Sequence, residues 1–383
     1  MRISKNLNFI NFKNKTHNKS LGKIYKNITS QKNEILSSLK PNYKYSYDQT
    51  LIKRYRNKNL RIIGMGGSVL GTKAIYSFLE KKIRKKIYFI DNLNPKIKDK
   101  SIKAINIIIS KSGNTLETIS NSNLILKKNT KNIFITEKKN SFLRAIANEL
   151  KAEIVDHNNF IGGRYSVLSE VGMLPMSLIG LNEKKFKQFN NLYKNKYFVN
   201  TLLTNVANIY DLVIKKKYNS IILNYDEQSD DLFKWYQQLV AESLGKKGKG
   251  ILPIISTMPK DNHSVMQLYL DGNKNNFFTF FNAKEKNSDK IKSNWLQNDF
   301  KYLNNKSLYS ILYAQNKATE NVFSKKKIPF RSINVNNRSE ETIGELFTFF
   351  ILETILLSKL MKINPYDQPA VELIKKETFR ILK

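Results

Sequence analysis

The chain reads as an α/β protein: a doubly wound parallel sheet, a second α/β unit behind it, and a helical C-terminal segment. Three observations predict this. Short apolar runs alternate with helical patterns, which is the order of a parallel sheet with crossover helices. The clearest run, residues 105–109, ends in Ile107, Ile108 and Ile109 without alternation, as in a strand covered on both faces. Two of the runs stop in glycine- or hydroxyl-rich loops that open helices, where such sheets receive ligands.

In order, residues 1–45 are lysine-rich with apolar positions at Ile24, Ile28, Ile35, Leu36 and Leu39, which predicts a helical arm ending before Pro41. A first α/β unit spans 46–180, with strands expected near 60–63, 86–90, 105–109, 132–136 and 152–155. Residues 182–210 read as a polar helical bridge. A second unit runs over 181–340, with strands at 220–223 and 251–255 and an amphipathic helix through Trp235-Tyr236-Gln237-Gln238-Leu239-Val240-Ala241. Residues 282–306, rich in Lys and Asn, read as an irregular excursion. The segment 341–383 holds an apolar helix over 342–361, a turn at Asn364-Pro365-Tyr366-Asp367-Gln368-Pro369, and a last helix over 370–382.

Composition narrows the function classes. At 383 residues there is room for two cores, and no cysteine is present, which removes disulfides, thiolate metal sites and cysteine nucleophiles and suits a reducing, cytoplasmic setting. The three histidines, His17, His157 and His263, are scattered, so no histidine-rich metal site is expected. The net charge is +35, but lysine recurs along the whole length with Asn and Ile and does not form one basic block with interleaved aromatics. That pattern argues for solvated lysine faces, not a nucleic-acid surface, while still drawing in small anions. The longest apolar stretch, 346–357, includes Glu353 and falls short of the roughly twenty residues that span a bilayer.

Five places carry the chemistry. After strand 105–109 come Ser110, Lys111, Ser112, Gly113, Asn114 and Thr115, with Glu117 in the helix's first turn. Hydroxyls, a lysine and helix-start amides make a cradle for a phosphate dianion, although Ser and Thr also serve as plain helix caps. Gly64-Met65-Gly66-Gly67-Ser68 ends the first strand; with Asp91 it imitates a dinucleotide fingerprint and does not separate a nucleotide from a sugar phosphate. Gly162-Gly163-Arg164 can bring a guanidinium close to a ligand or leave it on the surface. Glu242, near a helix end before Ser243 and Gly245, is a base or a solvated acid, and His263 caps a helix or titrates near neutrality.

Taken in order, five segments resemble the phosphoglucose isomerase family, whose chains hold two sugar-isomerase (SIS) modules, each an α/β/α sandwich. They are Gly64-Met65-Gly66-Gly67-Ser68, Ser110 to Thr118, Gly162-Gly163-Arg164-Tyr165-Ser166, Ala241-Glu242-Ser243-Leu244-Gly245-Lys246, and Asp367-Gln368-Pro369-Ala370-Val371-Glu372-Leu373-Ile374-Lys375. The resemblance implies interconversion of glucose 6-phosphate and fructose 6-phosphate in glycolysis and gluconeogenesis, through ring opening and a cis-enediol, with no metal or organic cofactor. It implies that Ser110, Lys111, Ser112 and Thr115 hold the phosphate, and that Gly67, Ser68 and Gln368 lie beside the sugar. Glu242 would be the base between C2 and C1, Arg164 the cation on the enediol, and His263 the ring-opening group assisted by Lys375. It also implies a homodimer with shared sites, the histidine coming from the neighbouring subunit, with neither nucleic acid nor membrane as partner. The Ser-Gly-Asn-Thr run after Lys111 is similar to bifunctional phosphoglucose/phosphomannose isomerases, which makes mannose 6-phosphate an alternative second substrate. A non-catalytic sugar-phosphate regulator is a further alternative, disfavoured because it has no use for Glu242 and Lys375.

Overall fold

The computed structural model describes residues 3–13, 19–97, 102–127 and 129–383, so His17 lies outside the described residues. Its strands are β1 (Leu7–Ile10), β2 (Leu60–Gly64), β3 (Ile87–Ile90), β4 (Ile105–Ile109), β5 (Asn132–Glu137), β6 (Glu153–His157), β7 (Asn219–Asn224), β8 (Leu252–Thr257), β9 (Asn276–Ala283) and β10 (Phe330–Val335).

The first sheet has the order β3-β2-β4-β5-β6, parallel throughout. Its central strands β2, β4 and β5 are buried at every residue, which explains why their apolar residues run together without alternation. The order reverses between β2 and β4. Such a switch point parts the crossover helices to either face and leaves a crevice at the strands' carboxyl ends. The Gly64–Ser68 and Ser110–Thr115 loops flank that crevice.

The second sheet, β1-β10-β9-β7-β8, repeats the arrangement over β8-β7-β9-β10, also parallel. Its far edge is a correction to the helical arm expected over residues 1–45. Helices Lys19–Ser30 and Glu34–Ser38 form, but β1 precedes them and pairs antiparallel with β10. Leu7 and Phe9 are buried while Asn8 and Ile10 are exposed, the alternation of a strand with one covered face. The bridge expected over 182–210 is also not polar: helix Lys196–Ile214 buries Phe198, Leu202, Val206 and Ile209. The excursion starts later than expected, since Asn282 belongs to β9.

Helix Glu340–Leu360 is buried without a break from Thr342 to Ser358. A helix apolar on all sides needs a protein interior around it, and it packs on helices Lys196–Ile214 and Asp230–Leu244. Its deepest carboxylate, Glu353, pairs with Arg331 of β10, both side chains at 0 % exposure. Among the described residues no helix is long and apolar enough to cross a membrane.

Candidate functional site

Helix Asp230–Leu244 starts in the second module and packs against helix Leu70–Phe78 of the first. It thereby delivers Glu242 to the carboxyl end of the first sheet. Trp235, 1 % exposed, fixes the approach: its ring lies edge-on to Phe347 at 4.7 Å, and its Nε1 donates to the Arg164 carbonyl at 3.1 Å.

Arg164 is the hub. It lies in the short helical turn Gly163–Leu168 with only 1 % of its side chain exposed. Nε donates to Ser243 Oγ at 2.9 Å, and Nη2 donates to the Pro365 and Asp367 carbonyls at 2.6 and 3.1 Å. Nη1 donates to Glu242 Oε2 at 2.9 Å and to Gln368 Oε1 at 2.7 Å. The other carboxylate oxygen of Glu242 accepts from Gln238 Nε2 at 2.8 Å, yet 32 % of the Glu242 side chain stays exposed. A guanidinium this deep needs its donors matched, since an unpaired buried charge is costly. Carbonyls and one hydroxyl match most of them, leaving a single edge shared between an open carboxylate and an open amide.

The glycines explain how three loops converge. A methyl group at Gly67 would lie 2.2 Å from the Gly163 carbonyl carbon and 2.7 Å from the Arg164 amide nitrogen, so backbone must approach backbone there. Ser166 Oγ bonds the Gly163 carbonyl at 2.8 Å and reaches that of Gly67 at 3.4 Å. Gly66, with φ +52°, lies beside Gln238. Ser68 closes the same turn, Gly66–Ser68.

The hydroxyl loop is not an ordinary cap. Thr115 occupies the cap position of helix Leu116–Ile125, but its side chain makes no capping bond. Its Oγ1 instead meets Ser110 Oγ at 2.8 Å across the turn. The helix's first amides are therefore uncovered by that side chain and available to an anion. Gly113 adopts φ +67°, and a methyl there would meet Ser141 Oγ at 2.1 Å. Ser112 Oγ accepts from the Asn114 amide at 3.2 Å. Lys111 Nζ donates to the Asn159 carbonyl at 2.8 Å and lies 3.5 Å from Glu137.

Two sequence candidates stay outside this cluster. His263 ends the exposed turn Lys260–His263 after β8. Lys375 lies on helix Val371–Leu382, which has no buried residue, and pairs with Glu372 at 2.6 Å. Gln238, Ser243 and Tyr165 were not singled out from the sequence. Gln238 stands one helical turn before Glu242, a spacing that could have exposed it. Tyr165 and Ser243, whose hydroxyls meet at 2.8 Å, required the tertiary structure. Burial pushes the Tyr165 hydroxyl up to about 12 against the opposing pull of Arg164. Lys246, one turn beyond Glu242, is 3.0 Å from Asp367 and holds that carboxyl below its usual range.

Known proteins resemble the chain in sequence and in fold. The family model for phosphoglucose isomerase matches residues 54–383. The glucose-6-phosphate isomerase of Methanocaldococcus jannaschii is 35 % identical over 369 residues, 88 % of each chain. That of Mycoplasmopsis pulmonis is 34 % identical over 85 % of this chain and 82 % of its own. Among solved structures, a glucose-6-phosphate isomerase from Chlamydia trachomatis superposes with a TM-score of 0.70 at 20 % identity, over 87 % of this chain and 71 % of that one. A Thermus thermophilus protein described as hypothetical reaches 0.81 at 23 % identity over 94 % of both, a likeness of fold alone.

Proposed function

The chain belongs to the phosphoglucose isomerase family, an aldose–ketose isomerase acting between glucose 6-phosphate and fructose 6-phosphate, and we propose that the Arg164–Glu242 pair is where its hydrogen transfer takes place. The observation that carries this assignment is the asymmetry of the pair: a sealed guanidinium holds a carboxylate of which a third is open.

The substrate's phosphate occupies the crevice between β2 and β4, bound by Ser110, Ser112, Thr115, Lys111 and the uncapped amides at the start of helix Leu116–Ile125. Holding that remote group fixes the reacting C1–C2 end against Glu242. Once the ring is open, the Glu242 carboxylate takes the proton from C2 and the C1 carbonyl oxygen gains a proton, giving the cis-enediol. Protonated Glu242 then returns its proton to C1, and the O2 hydroxyl gives up a proton that balances the one gained at O1, giving the ketose with no net change in protons. Charge gathering on the enediol oxygens needs a cation that stays protonated. Nη1 of Arg164 is the edge that can serve, because its two acceptors, Glu242 and Gln368, are both exposed to ligand. Gly67 and Ser68 line the sugar side.

Ring opening falls to His263 with Lys375 assisting, and their separation from the cluster within one chain favours a homodimer in which His263 reaches the partner's site. The bare helix around Lys375, with Leu373 and Ile374 exposed at 69 % and 71 %, fits a surface that is covered on assembly. Sedimentation should give a dimer, and a fully active monomer would overturn the shared site.

Glu242→Gln keeps the shape and an acceptor for Gln238 but removes the base. Turnover should fall about 10³-fold or more while fructose 6-phosphate still binds. Retained turnover would remove Glu242 from the role of base.

A further inference from the structure

The first sheet has a second concavity at its other end, and it is basic. A cavity of about 860 Å³ opens at the amino ends of β2, β3, β4 and β5, where Lys58, Lys85, Lys103, Lys127 and Lys131 line it. Among its sixteen described lining residues seven are Lys or Arg and none is Asp or Glu. Across the chain the corresponding share is 66 of 383, so lysine drift alone accounts for less than half of the cations gathered here.

The arrangement is not a set of neutralised pairs. None of the five ammonium groups is in an ion pair with a described carboxylate, whereas elsewhere the chain pairs its lysines freely, as Lys73 with Asp91 and Lys139 with Glu137. The two arginines complete the lining. Arg61, 3 % exposed, reaches in from β2, its guanidinium held by Asn106 Oδ1 at 2.9 Å and the Ile102 carbonyl at 2.8 Å. Arg54 pairs with Glu153, outside the lining, and its guanidinium lies 6.0 Å from the Tyr55 ring, with Lys131 Nζ at 5.8 Å from the same ring.

Favourable charge at the C-termini of helices Gln49–Tyr55 and Leu116–Ile125 explains a cation or two. It does not explain five lysines, none in an ion pair with a described carboxylate, on loops from four different strands, which repel one another unless an anion sits among them. The volume is that of a small-molecule site, and the cations line a concavity, not the ridge or stripe a nucleic acid would track.

We propose that this cavity binds a small anion carrying two or more phosphate groups, either a free oligophosphate chain or the polyphosphate of a nucleotide. It is separate from the sugar-phosphate crevice, which lies at the opposite ends of the same strands, roughly 15 Å away along β2. The proposal does not depend on the isomerase assignment.

Tripolyphosphate and ATP, each in metal-free buffer, would be titrated calorimetrically into the full chain and scored by thermal shift. Binding is expected for both, weakening with added salt. Equal affinity assigns the phosphate chain as the whole determinant, and tighter ATP binding assigns a nucleotide. The double variant Lys103→Glu/Lys127→Glu should weaken binding about 100-fold while leaving KM for fructose 6-phosphate unchanged. Lys292→Glu/Lys301→Glu carries the same charge change on the remote 284–307 segment and should leave binding as it was. Equal losses in both double variants, displacement by fructose 6-phosphate, tighter binding of an RNA oligomer than of either small anion, or no heat with either would overturn the proposal.

Discussion

The two modules share a strand order but end differently at their switch points. In the first, β2 and β4 run out into Gly64–Ser68 and Ser110–Thr115, loops of glycines, hydroxyls and one lysine with no carboxylate. In the second, the same place after β7 is filled by acids and their partners. Asn224 Nδ2 donates to Asp230 Oδ1 at 2.6 Å and to the Asp226 carbonyl, Thr257 Oγ1 reaches Asp230 Oδ2 at 3.1 Å, and Arg338 pairs with Asp226. The carboxylates at the second end repel a phosphate dianion, and the two loops at the first end carry none. The second module instead gives the site a helix, Asp230–Leu244, whose first residue closes its own crevice and whose last turn carries Glu242 into the other.

The modules also differ in how their interiors are anchored, and breaking that difference should give the largest effect. The second relies on a sealed ion pair: Glu353 accepts from Arg331, Asn205 and, at 3.0 Å, Tyr236. Of the buried arginines of the first, Arg164 shares its charge with the partly open Glu242, and Arg61 donates to the Asn106 side chain and the Ile102 carbonyl. Glu353→Gln leaves a buried guanidinium without its counter-charge and should cost about 3–5 kcal/mol in a denaturation midpoint. The double change Arg331→Met/Glu353→Leu should recover most of that loss, because an apolar pair of similar volume needs no compensation. A single variant as stable as the parent would show that the pair does not anchor the second module.

A smaller effect tests the two crevices directly. Ser112→Asp gives the first loop the character of the second, and the new carboxylate can still accept from the Asn114 amide, so the loop keeps its fold. KM for the sugar phosphate should rise about 100-fold with kcat changed much less, since like charges at a contact cost several kcal/mol. An unchanged KM would place the phosphate elsewhere.

The same contrast explains what the sequence made legible. β4 was readable because burial on both faces leaves a mostly apolar run, Ile105 to Ile109, with only Asn106 polar. The apolar helix 342–361 was readable for the same reason, appearing as Glu340–Leu360. β1 was hidden: four residues of alternation in a lysine-rich arm are a weak signal, and their partner, β10, lies more than three hundred residues away. The acids that fill the second crevice were equally silent, because Asp226 and Asp230 acquire meaning only from Arg338 and Thr257. Within the site, Arg164 and Glu242 stood out by residue type and neighbours. What their side chains touch, including the Pro365 carbonyl and Ser243, depends on chain segments that meet only after folding.

The smallest effect concerns the edge of the first sheet and appears with acid. His157, the last residue of β6, is 3 % exposed; Nε2 meets the Ile161 carbonyl at 3.0 Å, and Nδ1 has no hydrogen-bond partner, with Glu170 4.0 Å away. Burial pushes the imidazole down to about 4, opposed by the Ile161 carbonyl, with Lys111 pushing down and Glu137 up. The unfolded chain, with an ordinary histidine near 6.5, therefore binds the proton first as pH falls. The stabilising contribution is whole above about pH 6.5 and is lost progressively down to about 4. Glu170 acts the other way, since burial raises its carboxyl and favours the folded state in acid. The comparison must therefore be between parent and His157→Gln over the same pH series, which cancels the Glu170 contribution to first order. The parent should lose about 1 kcal/mol more than the variant between pH 7 and pH 5.5. Parallel stability curves would mean that His157 accepts its proton without leaving the fold, with Glu170 as the ready partner.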